Sequence, residues 1–417
     1  MTGTRVRRSA ALGAALALVA LSAPVASAGE STATGSTGGA VPTRVHDPFL
    51  WQATVRQRPT GPAALIFFTN RTRYFESTGV LVGRDGGYRL IPLHVGEGHG
   101  LLSPDGRHYL RPDTGELLDL TTGQQRRTLS TGIYPFAWSP DGQQVLGTRS
   151  NDDSVITYGP NNEQLNDPEK PDDLLLVDPY RSTERVVDVG TFAGHTAAAW
   201  SPSGDLVAVA GWPDPAASGA ELQRLVVVDP AGGGGPHWQV DLGDRRILAG
   251  PAAWHPDGRR IALLAFDGCA GPRCTADQVA ARIWRVEFLD AATGQAAGQP
   301  LFVGPSVTGI VGWRGDAPVI EQVNAAERVE DRRATLAALS PGGDLEVLVT
   351  APDGSTGLAV PGDLLTRAAF GGPERRPSPF AAPLWVYLAV AVPPLLTAAL
   401  LYRRLRRRRS VDPTPSS

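Results

Sequence analysis

The sequence predicts an all-β ectodomain, a six-bladed β-propeller of four-stranded antiparallel blades with seven blades as the alternative, followed by one C-terminal transmembrane helix. Three observations predict it. A cassette of two apolar runs joined by a turn of the Ser-Pro-Asp-Gly type recurs five times. A third apolar run, ending in Asp, follows the cassette in four of the copies. Charge-free apolar segments of membrane-related character stand only at the two ends of the 417-residue chain.

The ends come first because they are not part of the ring. Residues 1–28 combine Arg5, Arg7 and Arg8, an apolar stretch of small residues and leucines, and Ala26-Ser27-Ala28, the pattern of a secretory signal peptide. Residues 29–45 read as a flexible linker. At the other end, 381–402 is a 22-residue run without a charge, long enough to span a bilayer. Trp385, Tyr387 and Tyr402 suit its interfaces, and membrane helices tolerate Pro393-Pro394. Six arginines between Arg403 and Arg409 open the tail 403–417 and place it in the cytoplasm, against anionic lipid. The expected location is therefore the cell membrane, single-pass, with the propeller (46–370) outside and a linker at 371–380. Without signal and tail, 30 basic and 41 acidic residues remain. A net of −11 is poor chemistry for nucleic acid.

Each cassette reads as a β-hairpin. "FAWSPDGQQVLGT" (136–148) carries Trp138, then Pro140, Asp141 and Gly142 as the turn. Proline presets φ, and Gly accepts the left-handed position. Trp200, Trp254 and Trp313 end the equivalent apolar runs, at spacings of 62, 54 and 59, and Asp257 repeats the turn aspartate. Recurrence at tens of residues signals a propeller or solenoid. Asp119, Asp178, Asp229 and Asp290 end third strands, and a fourth leaves after each, giving four strands per repeat. The segment 356–370 supplies a late strand that would complete the first blade.

On these motifs the chain resembles the WD40-like and TolB-like bacterial propellers, in which "WSPDG" links the first two strands of a blade. "FAGHTAAAWSPSGDLVAVAG" (192–211) carries the resemblance best, with Gly194-His195 matching the Gly-His that opens a WD40 repeat. The closing Trp-Asp is absent, and Asp-Pro stands there. The resemblance implies the fold and assigns His195 an orienting, hydrogen-bonding role. It implies little about function.

The long insertions fall between second and third strands. In an up-down blade these emerge on one face, opposite the cassette turns. Insertions confined to one face mark a binding face, so the expected partner is a protein or cell-envelope component. Asp152, Asp153, Asp172 and Asp173 in the acidic insertion 149–173 are the candidate contacts. Cysteines 269 and 274 are expected to pair, closing a short loop.

Catalytic patterns are missing: the sequence has no Gly-x-Ser-x-Gly elbow, phosphate loop or His-Glu-x-x-His. His94, Glu97, His99 and His108 are the only histidine-rich cluster, and an exposed loop is the simpler reading. Arg314-Gly315-Asp316 occupies a cassette turn. No cofactor is expected. The reading is a membrane-anchored, non-catalytic scaffold. Its alternative is an enzyme or metal-dependent binder with titratable groups converging on the central channel.

Overall fold

The computed structural model describes residues 40–69, 78–93, 99–112, 114–130, 132–149, 157–158, 164–165, 172–190, 192–213, 223–232, 235–270, 274–324, 326, 328–367 and 369–409. Residues 1–39, the histidine-rich segment over 94–98 and most of the acidic insertion lie outside them.

Six four-stranded antiparallel sheets form a six-bladed propeller. Blade 2 runs Leu101–Leu102, His108–Leu110, Glu116–Asp119 and Gln125–Arg127. Blade 3 uses Ile133–Trp138, Val145–Arg149, Asp173–Asp178 and Thr183–Val186. Blade 4 uses Phe192–Trp200, Val207–Pro213, Gln223–Val228 and Trp238–Gly243. Blade 5 uses Arg246–Leu248, Arg260–Asp267, Ile283–Asp290 and Leu301–Gly304. Blade 6 uses Val307–Arg314, Ala317–Val323, Ala334–Leu339 and Leu345–Thr350.

Blade 1 is composite. Ala63–Thr69, Thr78–Gly83 and Tyr88–Pro92 provide three strands, and Ser355–Ala359 pairs with the first of these as the innermost strand, Ile66 opposite Ala359. The last strand thus completes the first blade.

The middle strands are buried on both faces because each sheet is packed between two neighbours. Ala63–Thr69 is buried at every position, and so are Leu225–Val228 and Ile261–Phe266. This is why these strands read as continuous apolar runs rather than as alternation. Outer strands reach solvent and mix apolar with polar residues, as in Thr183–Val186.

Three α-helices and a 3-10 turn at Val329–Asp331 complete the described chain. Helix α1 (Ala276–Ala280) sits in the blade 5 insertion and is capped by Thr275 and Gln278 in a reciprocal box. Helix α2 (Gly362–Thr366) follows the closing strand. Helix α3 (Leu384–Arg409) contains Pro393 and Pro394, and the Thr397 hydroxyl donates to the Pro393 carbonyl at 2.9 Å. Leu384–Leu405 is long and apolar enough to cross a membrane, and none of it is buried against the rest of the chain.

The flanking segments are not loose. Where the 29–45 stretch is described, Val41 and Val45 are fully buried, and they bond to the Ala369 carbonyl (2.8 Å) and the Thr350 carbonyl (3.2 Å). The 371–380 segment runs alongside, with Gly372 donating to Val41 and Arg375 to Arg44. The Tyr88 hydroxyl donates to the Arg375 carbonyl at 2.7 Å. The two segments that flank the propeller are therefore tied to each other and to blade 1.

Candidate functional site

The cassette turns share one geometry. In blade 3 the Gly142 N–H closes on the Ser139 carbonyl at 2.9 Å, and Gly142 has φ +70°. That left-handed value is why the position takes glycine. The Ser139 hydroxyl donates to Asp141 Oδ1 (2.6 Å), which also accepts the Gln143 N–H (3.0 Å). Blade 2 repeats this with Ser103, Asp105 and Arg107. Burial alone would raise the Asp105 carboxyl, but the Ser103 hydroxyl and the Arg107 N–H outweigh it and hold the group below its ordinary value. Blade 5 substitutes His255 for the serine, with its ring against Asp257 at 2.8 Å and against Asp316 of blade 6 at 3.2 Å. Arg314 pairs with Glu346 at 2.7 Å, so both charges of the Arg-Gly-Asp triplet are engaged within the ring. The third-strand aspartates act similarly. Asp119, Asp178, Asp229 and Asp290 each accept a backbone N–H from two residues further on.

The tryptophans bind blade to blade. Each indole N–H donates to a backbone carbonyl of the preceding blade: Trp138 to Leu101 (3.4 Å), Trp200 to Ala137 (3.4 Å), Trp254 to Ala199 (3.1 Å) and Trp313 to Ala252 (2.8 Å). The donors step around the axis one blade at a time.

Inside this belt the channel opens into a mouth with a cavity of about 790 Å³. Its wall is Pro104, Pro140, Pro202 and Pro256 of the turns with the edges of the four tryptophans. Asp105 and Asp141 supply carboxylates at its rim. Blade 1 has no cassette turn, since its inner two strands come from opposite ends of the propeller sequence. Helix α2 fills that gap. Gly312 leaves room for it: a Cβ there would meet Leu365 Cδ1 at 2.7 Å. Arg84 fixes it, donating to both Asp363 oxygens (2.8 and 2.9 Å) and to the Asp105 and Ala63 carbonyls. Sequence reasoning finds neither α2 nor Arg84, because Arg84 and Asp363 lie 279 positions apart and no local pattern links them.

The opposite end of the channel is more polar. His99 stacks on Phe68 (centroids 4.0 Å) and meets the Thr356 hydroxyl at 3.1 Å; the residue is exposed overall, but desolvation of its ring lowers its basicity. Glu321 is half-buried nearby and pushed up by desolvation, against a Thr308 hydroxyl (2.7 Å) and the Leu358 N–H (2.6 Å). His195 touches the Thr148 hydroxyl through Nδ1 (3.2 Å). Burial pulls its pKa down to about 4, and its Nε2 has no partner among the described residues. His108 does not join His99. It opens the second strand of blade 2, at the cassette end, edge-on to Tyr180. His94 and Glu97 lie outside the described residues. No group of three metal-ligating side chains occurs among the described residues.

Of the acidic candidates, Asp152 and Asp153 lie outside the described residues. Asp172 leads into the third strand of blade 3. Asp173 opens that strand and pairs with Arg149 at 3.0 Å, and Arg149 also reaches Glu184 at 3.3 Å. Cys269 and Cys274 form a disulfide with Cα atoms 5.9 Å apart, next to α1.

No protein-family model and no curated protein matches the chain. Solved propeller structures do. A protein described as TolB from Agrobacterium tumefaciens is 14% identical over 72% of this chain and 98% of its own, with TM-score 0.41. A chain of the nidogen/laminin complex is 11% identical over 72% and 98%, with TM-score 0.42. Oligogalacturonate lyase from Vibrio parahaemolyticus is 12% identical over 72% and 92%, with TM-score 0.39.

Proposed function

We propose that the chain is a membrane-anchored, extracytoplasmic binding scaffold without catalytic activity, and that its protein or cell-envelope ligand enters the cassette-side mouth. The observation that carries this is the use of the polar groups there. The turn serines and aspartates bond to each other and to the turn backbone, leaving indole edges and proline rings to face the cavity. That is a surface for a protruding apolar or aromatic group, with Asp105 and Asp141 favouring a cationic neighbour. The insertion face, as the alternative site, draws its support from the length and acidity of 149–173.

Site-specific photo-crosslinking in intact cells tests the choice. A crosslinker at Gln143, in the mouth, is expected to give a discrete adduct. One at Val186, on an outer strand, is expected to give none. Adducts from the 149–173 insertion with none from Gln143 would return the site to the opposite face. A second reading places a small-molecule site beside Glu321 and His99. It predicts that Glu321→Gln abolishes ligand binding while the crosslinking pattern persists.

A further inference from the structure

We infer that the rim of blade 1 at its insertion-bearing end rests in the interfacial layer of a lipid bilayer, so that the cassette mouth is turned away from the membrane. This rests on the reading of α3 as a spanning helix, and four observations extend it.

The helix has no tether. The Ala53 N–H donates to the Ala381 carbonyl at 2.8 Å, and Ala381 and Ala382 are buried. Only Pro383 separates them from Leu384, where α3 begins. The Trp51 indole donates to the Pro379 carbonyl at 3.0 Å, and the Tyr387 hydroxyl donates to the Phe380 carbonyl. A flexible linker would let the ring turn freely above its anchor. One residue does not.

The helix length sets the level. From Leu384 to Tyr402 the chain rises about 28 Å at 1.5 Å per residue, close to the thickness of a hydrocarbon core. Arg403 follows at once. With these arginines among the headgroups of one leaflet, Leu384 and Trp385 stand at the boundary of the other. The propeller residues packed beside them share that level.

Those residues have the right chemistry. Leu50 (44% exposed), Trp51 (46%) and Phe380 (76%) sit beside Leu384 (73%) and Trp385 (63%). Trp51 also stacks on Phe49, with centroids 5.0 Å apart. Aromatic rings with one polar handle collect in the interfacial layer.

The position of the exit fixes which face meets the lipid. Trp385 and Val386 line a cleft of about 460 Å³ with Thr78, Pro92 and Leu93. Thr78 opens the third strand of blade 1 and Pro92 closes the fourth, at the end away from the Arg84-Asp85-Gly86 turn. That is the end where the insertions emerge.

The test uses the full chain in phosphatidylcholine–phosphatidylglycerol vesicles carrying a headgroup-linked nitroxide quencher. Leu50→Cys or Gln143→Cys receives a thiol-reactive fluorophore, since Cys269 and Cys274 are already paired. The label at 50 is expected to lose most of its emission, and the label at 143 to keep it. An unquenched label at 50 on a chain that resists alkaline extraction overturns this inference and leaves the spanning helix standing. Extraction of the chain by alkali overturns the spanning helix itself. A quenched label at 143 overturns the orientation. Energy transfer between labels at 50 on different copies, without quenching, replaces the lipid by a second copy and also overturns it.

Discussion

His195 shows what a single buried imidazole contributes. Its pKa is about 4 in the fold against 6.5 unfolded, so the unfolded chain binds the extra proton between those values. The depressed pKa gives stability that is complete above pH 6.5 and is lost as pH falls towards 4, about 3 kcal/mol for this site. The melting temperature of the native protein is therefore expected to drop across that window. In His195→Asn the drop is shallower, as differential scanning calorimetry against pH will show. An unchanged slope would mean that another group carries the acid limb. The tryptophan belt makes a second residue-scale prediction. Trp254→Ala removes a buried ring and the donor to the Ala199 carbonyl, and about 3–5 kcal/mol should disappear from chemical denaturation. Trp254→Phe keeps most of the packing and should cost clearly less.

At the scale of elements, α2 is the piece that the mouth depends on. Gly312→Ala pushes a methyl into Leu365, and the expected cost is about 1–3 kcal/mol. Leu365→Ala in the same chain should recover much of it. If the double variant is no better than Gly312→Ala alone, the contact does not set the position of α2. The cassettes were legible in the sequence because a turn that needs Pro, Asp and a left-handed Gly writes itself into four consecutive residues. The strands around it were legible because blades packed on both sides demand continuous apolar runs. Helix α2 was not legible, since its five residues gain their place from Pro104, Gly312 and Arg84, each remote in sequence. The mouth escaped notice for a related reason: the tryptophans and prolines that line it also serve the turns and the packing between blades. Only their convergence from five blades makes a cavity.

At the scale of the molecule, the ring is held shut by Ser355–Ala359 and by Arg84 on Asp363. The ion pair is about a quarter to a third exposed, so it acts as a bidentate clamp with moderate screening. A double-mutant cycle on Arg84→Ala and Asp363→Ala should give a coupling of about 1–2 kcal/mol. A chain stopped at residue 354 lacks the inner partner of Ala63–Thr69 altogether. Hydrogen exchange in such a chain should lose its slowest protection in blade 1 first, while blade 4 keeps its own. Equal loss in both blades would show that the ring unfolds as one unit.

The composite blade also sets a timetable. Ile66 and Ala359 pair across 293 positions. At about 5–20 residues per second, synthesis separates them by about 15–60 s. During that interval Ala63–Thr69, wholly apolar but for its last residue, offers an unpaired edge to whatever is near. Blades 2 to 6 can each complete themselves from neighbouring sequence as they emerge. The nascent chain therefore waits as an open arc, and the segment that closes it is made only a few seconds before the apolar stretch of α3.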